Sequence, residues 1–412
     1  MTDTLHPRYI APLIREALSD TPVVCLLGPR QSGKTTLAKS LDPGRAYLTF
    51  DDSSLLSNAR NDPTGFVRSL PERVTLDEVQ RIPELLPVLK ATVDEVRKPG
   101  RFILTGSANL LLLAGVQESL AGRVEIIYLH PLSEQEKRHS KFSLLQAMLD
   151  GSVKPAIKAT PKPLAGIADV IVQGGYPEPN ARSGARALKW HKQYVNSLLQ
   201  RDVADIATIR DVTEVGRLLE LLALRTASLL NTSSLATEVG IRRETAEKYL
   251  TILEHLFLVR SLPAWHNNKA KRLIKTPKIH IVDTGLACAL SGLNANDWNS
   301  YSKDFGPMLE SFAVQQLICQ AGWVDRDLKF SHYRDKDQVE VDLVIEQGRK
   351  VWGVEVKKSS SLHSSDGAGL ARLASQAGSN WQGGMLLYGG NNCYALSAAE
   401  NCFVVPLERL WG

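Results

Sequence analysis

The chain has 412 residues, of which 43% are hydrophobic and 23% charged, and this excludes a mainly disordered protein and predicts two to four globular domains. Its longest apolar stretches, such as Leu110–Val116, are far shorter than the roughly 20 residues that cross a bilayer, and the N-terminus lacks the basic region and apolar run of a secretory signal. We therefore expect a cytoplasmic protein without membrane spans. The net charge of +5 is too small to identify a partner, and five scattered cysteines without a CxxC spacing argue against a disulfide framework or a zinc knuckle.

The first elements in chain order are typical of an α/β domain. An amphipathic helix is predicted over residues 9–20, and the apolar run Val23–Leu27 predicts a buried strand that ends in a glycine-rich turn. A helix follows over Thr35–Leu41, because Pro43 stops it. Further strands are predicted at Ala46–Phe50, Val74–Leu76, Phe102–Thr105 and Val124–Tyr128. Helical patterns between these strands predict a parallel sheet covered on both faces.

The turn after the first strand carries a phosphate-binding pattern. Residues 28–35, GPRQSGKT, fit GxxxxGK[ST] between a strand and a helix. Gly28 and Gly33 let backbone N–H groups wrap phosphates, the Lys34 ammonium meets the charge of the β- and γ-phosphates, and the Thr35 hydroxyl binds Mg²⁺. The alternative is a tight glycine turn beside a surface lysine. The residues expected at the nucleotide are Gly28, Pro29, Arg30, Gln31, Ser32, Gly33, Lys34, Thr35 and Thr36.

Polar side chains at two later strand ends are expected to complete this site. Asp77 and Glu78 follow an apolar strand at its carboxyl end, where ligands gather in open α/β sheets. Asp77 would hold Mg²⁺ through water, and Glu78 would orient and polarise the attacking water. The alternative is a solvated acidic loop. Ser107, after the next strand, could sense the γ-phosphate, although polar residues end many strands.

Hydrolysis of the γ-phosphate needs a further cation, because charge on that group in the transition state exceeds what Lys34 neutralises. Arg123 and Arg201 are the candidates, and the alternative is that each is an ordinary surface or ion-paired arginine. An arginine acting in trans would require a homo-oligomer. No NKxD-like guanine reader follows the loop, so ATP is the expected nucleotide.

The middle of the chain predicts helices over residues 185–230 and then a helix-turn-helix. The latter consists of a short helix, Leu235–Val239, capped by Ser233 or Ser234, a turn at Gly240 and a second helix, Arg243–Phe257. The strand-like segments 258–263 and 278–282 are consistent with a wing.

Basic residues accumulate around Trp265 and His266, and no acidic residue lies between Glu254 and Asp283. Such a strip favours contact with the phosphates of DNA. Packing on the ATPase or contacts between subunits are the alternative. The strip comprises Arg260, Lys269, Lys271, Arg272, Lys275 and Lys278, with Arg242, Arg243 and Lys248 of the second helix nearby.

Two alternating segments near the C-terminus predict a β-hairpin around Gln347-Gly348. Period-two spacing places Glu355 and Lys357 on one face, and the hairpin brings Asp342 near them. Asp342 and Glu355 would bind Mg²⁺ or Mn²⁺, and Lys357 would orient water or stabilise charge during phosphodiester hydrolysis. The alternatives are a hairpin with a charged wet face and a fold that only binds.

Several segments together resemble the widespread prokaryotic AAA-type ATPases that end in a nuclease-like domain of unknown function. They are GPRQSGKT, TLDEVQRIPEL, ILTGSANLLLL, SLAGR, GGYPE at 174–178 and LQRD at 199–202, and the resemblance covers nearly the whole chain. It implies an AAA+ core, a helical and winged-helix middle, and a C-terminal domain similar to the PD-(D/E)XK restriction-endonuclease-like superfamily. That superfamily often adds an acidic ligand from a helix, which implies a metal-binding role for Glu310.

The resulting expectation is an α/β multidomain protein with four parts. These are a P-loop AAA+ core at 1–135, a helical lid or linker at 136–230, a winged helix-turn-helix at 231–282 and a nuclease-like domain at 283–412. We expect a Mg²⁺-dependent ATPase whose nucleotide state controls a DNA-binding and DNA-cleaving C-terminal half. The alternatives are a nucleotide-gated scaffold with an inert nuclease-like domain and a toxin- or defence-type effector.

Overall fold

A computed structural model describes residues 5–107, 122–158, 166–203, 209, 211–268, 276–324 and 327–412. The chain forms two compact units. The first comprises Met1–Leu132 with His255–Phe257, and the second comprises Ser133–Glu254 with Leu258–Gly412. Among the described residues, no helix has the length and apolar character needed to cross a bilayer.

The first unit is built on a five-stranded parallel sheet, as predicted. Its strands are β1 Val23–Leu27, β2 Ala46–Thr49, β3 Val74–Asp77, β4 Phe102–Gly106 and β5 Val124–Tyr128, in the order β2-β3-β4-β1-β5. Its described helices are α1 Ala11–Asp20, α2 Lys34–Leu41, α3 Ser53–Asn61, α4 Pro63–Ser69 and α5 Leu85–Glu95. A single 3₁₀ turn, Val79–Arg81, follows β3.

Alternation along β1 divides its apolar side chains between the two faces of the sheet. Val23, Cys25 and Leu27 pack into a core with side chains of α3, α4 and α5. Val24 and Leu26 pack on the opposite face with side chains of α1 and α2. Because both faces are buried, the strand is a continuous apolar run, which is the pattern by which sequence predicted it.

The carboxyl ends of these strands meet at one edge of the sheet. β1 pairs with β4 from Val23–Phe102 to Leu27–Gly106, and with β5 from Val23–Val124 to Leu27–Tyr128. Residues that follow β1, β3 and β4 therefore share the carboxyl edge. A residue that precedes β5 lies at the opposite, amino edge.

The second unit begins with helices. They are α6 Glu134–Lys137, α7 Leu144–Leu149, α8 Ile167–Gln173, α9 Pro177–Asn180, α10 Gly184–Leu198 and α11 Val212–Leu224, with a π-helical turn at Leu199–Val203. Two more helices, α12 Thr232–Val239 and α13 Arg243–His255, are joined by a turn at Gly240. A three-stranded antiparallel sheet adjoins them, formed by β6 Ser228–Leu229, β7 Val259–Leu262 and β8 Lys278–Ile281 in the order β6-β8-β7.

Two details of this region differ from the sequence prediction. The cap of α12 is Asn231, whose side chain accepts a hydrogen bond from the Ser234 amide, so the helix begins earlier than expected. The helix α13 ends at His255 instead of Phe257, and Phe257 adopts a left-handed backbone with φ of +57°.

The rest of the second unit is built on a mixed six-stranded sheet in the order β13-β14-β12-β11-β10-β9. Its strands are β9 Lys329–Arg334, β10 Glu340–Gln347, β11 Lys350–Lys357, β12 Trp381–Tyr388, β13 Tyr394–Ala395 and β14 Cys402–Pro406. Its helices are α14 Thr284–Ser291, α15 Asp297–Ser300, α16 Ser302–Val324 and α17 Ala368–Ala377, with 3₁₀ turns at Ser364–Gly367, Gly378–Asn380 and Leu407–Leu410. β10 and β11 form the expected hairpin, in which Gln347 pairs with Lys350.

Candidate functional site

The glycine-rich loop between β1 and α2 has the shape of an anion cradle. A Cβ atom on Gly28 would overlap the carbonyl oxygen of Leu129, and Gly33 has φ of +96°, so both positions require glycine. Ser32 is fully buried, and within the described part of the chain its hydroxyl has no hydrogen-bond partner. The first-turn amides of α2 follow directly and have no acceptor within the helix. The loop therefore fits a phosphate group.

Lys34 lies inside this loop and is only 5% exposed. Its ammonium donates hydrogen bonds to the carbonyl oxygens of Gly28 at 2.9 Å and Pro29 at 2.8 Å. The side chain thus curls back over the loop, and its charge lies among the atoms that would meet a phosphate. The surface-lysine alternative is excluded by this burial.

The other loop residues differ in exposure. Pro29 is buried, Arg30 is half-buried, and Gln31 and Thr36 are exposed. Gln31 adopts a left-handed backbone with φ of +59°. The loop thus has a buried inner surface near Ser32 and Lys34 and an exposed outer surface.

Arg8 holds the loop from outside and was missed by sequence reasoning. Its guanidinium donates to the carbonyl oxygens of Ser32 at 2.7 Å and His130 at 2.6 Å. It joins the segment before α1 to the loop and to the residues after β5. Partners 24 and 122 positions away leave no local signal in the sequence.

Asp77, at the end of β3, is surrounded by hydroxyl groups. It is 5% exposed, and one carboxylate oxygen, Oδ2, accepts hydrogen bonds from Thr35 at 3.3 Å and from Tyr47. The other, Oδ1, accepts from Thr105. Burial, followed by the bond to Asp77, raises the pKa of Tyr47 well above its ordinary value, so its hydroxyl remains a donor. The structure therefore joins Thr35 to Asp77, and it adds Tyr47, which the sequence did not indicate.

Glu78 lies at the same edge in a left-handed backbone conformation with φ of +57°. Its Oε2 accepts a hydrogen bond from Ser107 Oγ at 3.2 Å and another from the Gln80 side-chain amide. Gln80 also donates to Ser107 Oγ at 3.0 Å. Ser107 and Gln80 thus fix the orientation of the Glu78 carboxylate. An acidic loop in free solvent would lack such support.

Neither candidate arginine follows a strand at this edge of the sheet. Arg123 precedes β5 and lies at the amino edge of the sheet, where its guanidinium pairs with Asp94 at 2.5 Å and 3.0 Å. Arg201 is exposed and belongs to the second unit, in the π-helical turn.

The acidic hairpin of the second unit is organised around a lysine that sequence reasoning had assigned to DNA. Lys278 of β8 is 3% exposed, and its ammonium lies 2.7 Å from Glu310 Oε1 and 3.4 Å from Asp342 Oδ1. Asp342 Oδ2 accepts a hydrogen bond of 2.9 Å from the Val356 amide, and Lys357 contacts Glu355 Oε1 at 2.7 Å. The structure thus brings Asp342, Glu355 and Lys357 together, as the hairpin spacing predicted, and it places Glu310, which the family resemblance implied, beside them.

The surroundings of this cluster keep its lysines charged and favour the neutral form of Glu355. Burial opposes the charge on Lys278, but Glu310 and Asp342 outweigh it and raise the pKa of the lysine well above its ordinary value. Burial, followed by the charge of Asp342, raises the pKa of Glu355 to about 8.

The expected three-carboxylate metal site is not formed. Within the residues that the structure describes, no group of three or more His, Cys, Asp and Glu side chains is arranged to hold a metal ion. Two of the three carboxylates, Glu310 and Asp342, instead contact the Lys278 ammonium.

The basic strip expected to contact DNA is also only partly present as a surface. Lys278 is buried against α16, and Trp265 is 2% exposed, so neither residue is available to DNA. Arg260 is half-buried, and its guanidinium donates to Gln315 Oε1 of α16 at 2.5 Å. Lys269, Lys271, Arg272 and Lys275 lie outside the described residues. Arg242, Arg243 and Lys248 are exposed.

The GGYPE segment has a structural role inside the second unit. The amide of Gly175 donates to Asp283 Oδ2 at 2.6 Å, and a Cβ on Gly174 would overlap the same carboxylate. Tyr176 is fully buried, and its ring lies 4.8 Å from that of Tyr194. The segment therefore fastens α8 and α10 to the start of α14.

Comparison with protein families divides the chain into three matched regions. Residues 20–137 match an AAA domain, residues 165–297 a domain of unknown function (DUF8612), and residues 305–410 a domain of unknown function (DUF4143). The AAA match covers the sheet and loop described above.

Among curated proteins, the chain is 31% identical over 358 residues to the uncharacterized proteins Rv2008c of Mycobacterium tuberculosis and Mb2031c of Mycobacterium bovis. These alignments cover 87% of this chain and 75% of each relative. Among solved structures, the Walker-type ATPase PABY2304 of Pyrococcus abyssi aligns with a TM-score of 0.43 at 17% identity, covering 70% of this chain and 97% of that one.

Proposed function

The chain belongs to the family of AAA-domain proteins that includes Rv2008c and Mb2031c, and we propose that the chain hydrolyses ATP in a Mg²⁺-dependent reaction. Its first unit is an AAA-type P-loop ATPase domain. The observation that carries this proposal is the contact between Thr35 and Asp77 beside the buried Lys34. A hydroxyl at the start of α2 and a carboxylate at the end of β3 are the two protein groups that hold Mg²⁺ in P-loop enzymes.

The residues divide the work of binding the triphosphate. The α2 amides and the buried loop around Ser32 receive the phosphates, and the Lys34 ammonium exchanges its carbonyl partners for phosphate oxygens. Thr35 and Asp77 would hold Mg²⁺, and the ion would neutralise charge on the phosphates. Tyr47 and Thr105 keep the Asp77 carboxylate in one orientation.

Hydrolysis requires a group that orients water, and Glu78 has that role in our proposal. Its carboxylate lies at the carboxyl edge of the sheet, and Ser107 and Gln80 restrict its rotation. A carboxylate held in this way can accept a proton or a hydrogen bond from the attacking water.

Substitution of two residues separates binding from turnover. Lys34→Ala should lose ATP binding, because it removes the buried cation of the loop. Glu78→Gln should bind ATP and lose turnover by roughly 10²-fold or more. Binding is read with a fluorescent ATP analogue and turnover by phosphate release. Lys98→Ala is the matched control, because Lys98 is an exposed lysine of the same unit that pairs with Glu72. Normal turnover in both test variants would refute the assignment.

We also propose that the second unit binds DNA through the exposed start of α13. The supporting observation is the exposure of Arg242, Arg243 and Lys248 next to the turn at Gly240. In such a helix-turn-helix arrangement, basic side chains at the start of the second helix meet phosphates and base edges. The lysine-centred cluster gives no support to DNA cleavage as part of this proposal.

The DNA proposal is tested by the salt dependence of duplex binding. Arg243→Ala and Lys248→Ala should weaken binding, and each lost phosphate contact should reduce the slope of log K against log[salt] by about 1. Lys350→Ala, an exposed lysine at the start of β11, is the control. Equal slopes in all variants would contradict a role for α13.

A further inference from the structure

The carboxylates of the second unit surround a positive charge that belongs to the chain itself. The Lys278 ammonium lies 2.7 Å from Glu310, 3.4 Å from Asp342 and 3.9 Å from Glu340. Its side chain is 4% exposed, and those of Glu310 and Asp342 are 14% and 10% exposed. These residues come from three elements, β8, α16 and β10.

An ammonium group and a divalent cation would both bind to these carboxylate oxygens. A divalent ion bound by Glu310 and Asp342 would require an oxygen of each within about 2.0–2.6 Å. The nitrogen of Lys278 already lies 2.7 Å and 3.4 Å from oxygens of those same two side chains. Two cations cannot share that position, because each would repel the other without intervening water.

The remaining acid of the cluster also has a cation from the chain. Lys357 contacts Glu355 at 2.7 Å, two residues away on the same face of β11. The Asp342 oxygen that Lys278 does not approach accepts the Val356 amide at 2.9 Å. Each of these carboxylates therefore has a counter-ion or donor supplied by the protein, while Glu355 Oε2 is buried and has no hydrogen-bond partner among the described residues.

We propose that Lys278 is the resident counter-ion of Glu310 and Asp342, in the position that a divalent metal would take. The cluster then joins the three-stranded sheet, α16 and the six-stranded sheet through an internal ion pair. The second unit therefore folds without a metal ion at this place. This conclusion does not depend on ATP hydrolysis by the first unit.

Manganese binding to the full chain, without nucleotide, tests the proposal. We expect the wild-type protein to have no Mn²⁺ site that depends on Asp342. The number of sites, measured by electron paramagnetic resonance of free Mn²⁺, should therefore be the same in the wild type and in Asp342→Asn. Lys278→Ala should gain one Mn²⁺ site, and Lys278→Ala combined with Asp342→Asn should lose it again. Lys350→Ala should behave as the wild type, because that lysine is exposed on the same hairpin.

A second readout distinguishes this site from the nucleotide loop. All seven tryptophans lie in the second unit, at positions 190, 265, 298, 323, 352, 381 and 411. Intrinsic fluorescence therefore follows the melting of that unit. Mn²⁺ should raise this melting temperature in Lys278→Ala and leave it unchanged in the wild type.

Two results would overturn the proposal. One is a wild-type Mn²⁺ site that disappears in Asp342→Asn, and the other is a folded Lys278→Ala variant that gains no site. If Lys278→Ala does not fold alone, its recovery in soluble form with millimolar Mn²⁺ supports the proposal. If it stays insoluble, the comparison of wild type with Asp342→Asn decides the matter by itself.

Discussion

Removal of one hydroxyl group, in Tyr47→Phe, tests how the Asp77 carboxylate is held. Asp77 is 5% exposed and accepts hydrogen bonds from three hydroxyl groups. A hydrogen bond to a charged group contributes about 1.5–3 kcal/mol. Phenylalanine keeps the ring and its contact with Lys39, whose ammonium lies 4.1 Å from the ring centre. The expected loss of stability in the first unit is therefore about 1.5–3 kcal/mol.

Hydrogen exchange of β3 amides measures this loss where the change occurs. Because the first unit contains no tryptophan, intrinsic fluorescence does not report on it. A loss of 1.5–3 kcal/mol corresponds to protection that falls by roughly one to two powers of ten. The ATPase rate should fall less than about tenfold, because Thr35 and Thr105 still donate to Asp77.

Tyr301→Phe is the matched control, since Tyr301 is 57% exposed and belongs to the second unit. Protection of β3 in Tyr47→Phe that equals the wild type would show that the hydroxyl does not hold Asp77. A loss of activity far beyond tenfold would instead assign Tyr47 to the chemistry and refute its role as a support.

Three further substitutions give distinct expectations. Arg8→Gln should raise the KM for ATP several-fold with a smaller change in kcat, because it removes the 2.7 Å hydrogen bond from the guanidinium to the Ser32 carbonyl oxygen. An unchanged KM in a phosphate-release assay would contradict this. Gly174→Ala should lower the fluorescence-detected melting temperature of the second unit by more than Gly151→Ala does, because both have positive φ but only at Gly174 would a Cβ overlap Asp283; equal effects would rule out the overlap as the cause. Burial, followed by the charges of Lys278, Arg260 and His332, holds the pKa of His280 well below its ordinary value, so the unfolded chain binds a proton below about pH 6.5 that the native state does not. The free energy of unfolding of the second unit should therefore fall as pH drops below about 6.5, by up to about 1.4 kcal/mol per pH unit for this group. His280→Asn, measured by urea unfolding, should show a shallower fall. If the free energy of unfolding changes with pH equally in both proteins, His280 is excluded as the source.

The nucleotide loop could be predicted from sequence because its signals are local. The apolar run of β1, the glycines and the lysine lie within twelve residues, and each indicates its own local conformation. Asp77 and Glu78 were found for a related reason, since the end of a buried strand in a parallel sheet always meets the same edge. The hairpin around Gln347 and Gly348 could likewise be predicted, because its signal is a local turn.

The supports of the site could not be predicted, because they depend on distant pairs. Tyr47 reaches Asp77 across 30 positions and Arg8 reaches His130 across 122. Neither residue has a spacing that distinguishes it from an ordinary strand tyrosine or surface arginine. The same limit explains why sequence did not predict the burial of Lys278 or the contact of Arg260 with Gln315. Their acceptors on α16 are not visible in the segment that contains them.

The direction of β5 has a consequence for how catalysis would be completed. Arg123 precedes a five-residue strand that runs parallel to β1, so roughly 16 Å of sheet separates it from the level of the phosphate loop. A cation on that far rim cannot reach the triphosphate of its own subunit. If Arg123 takes part in hydrolysis, it does so for a neighbouring copy, and turnover per chain would then rise with protein concentration as copies assemble.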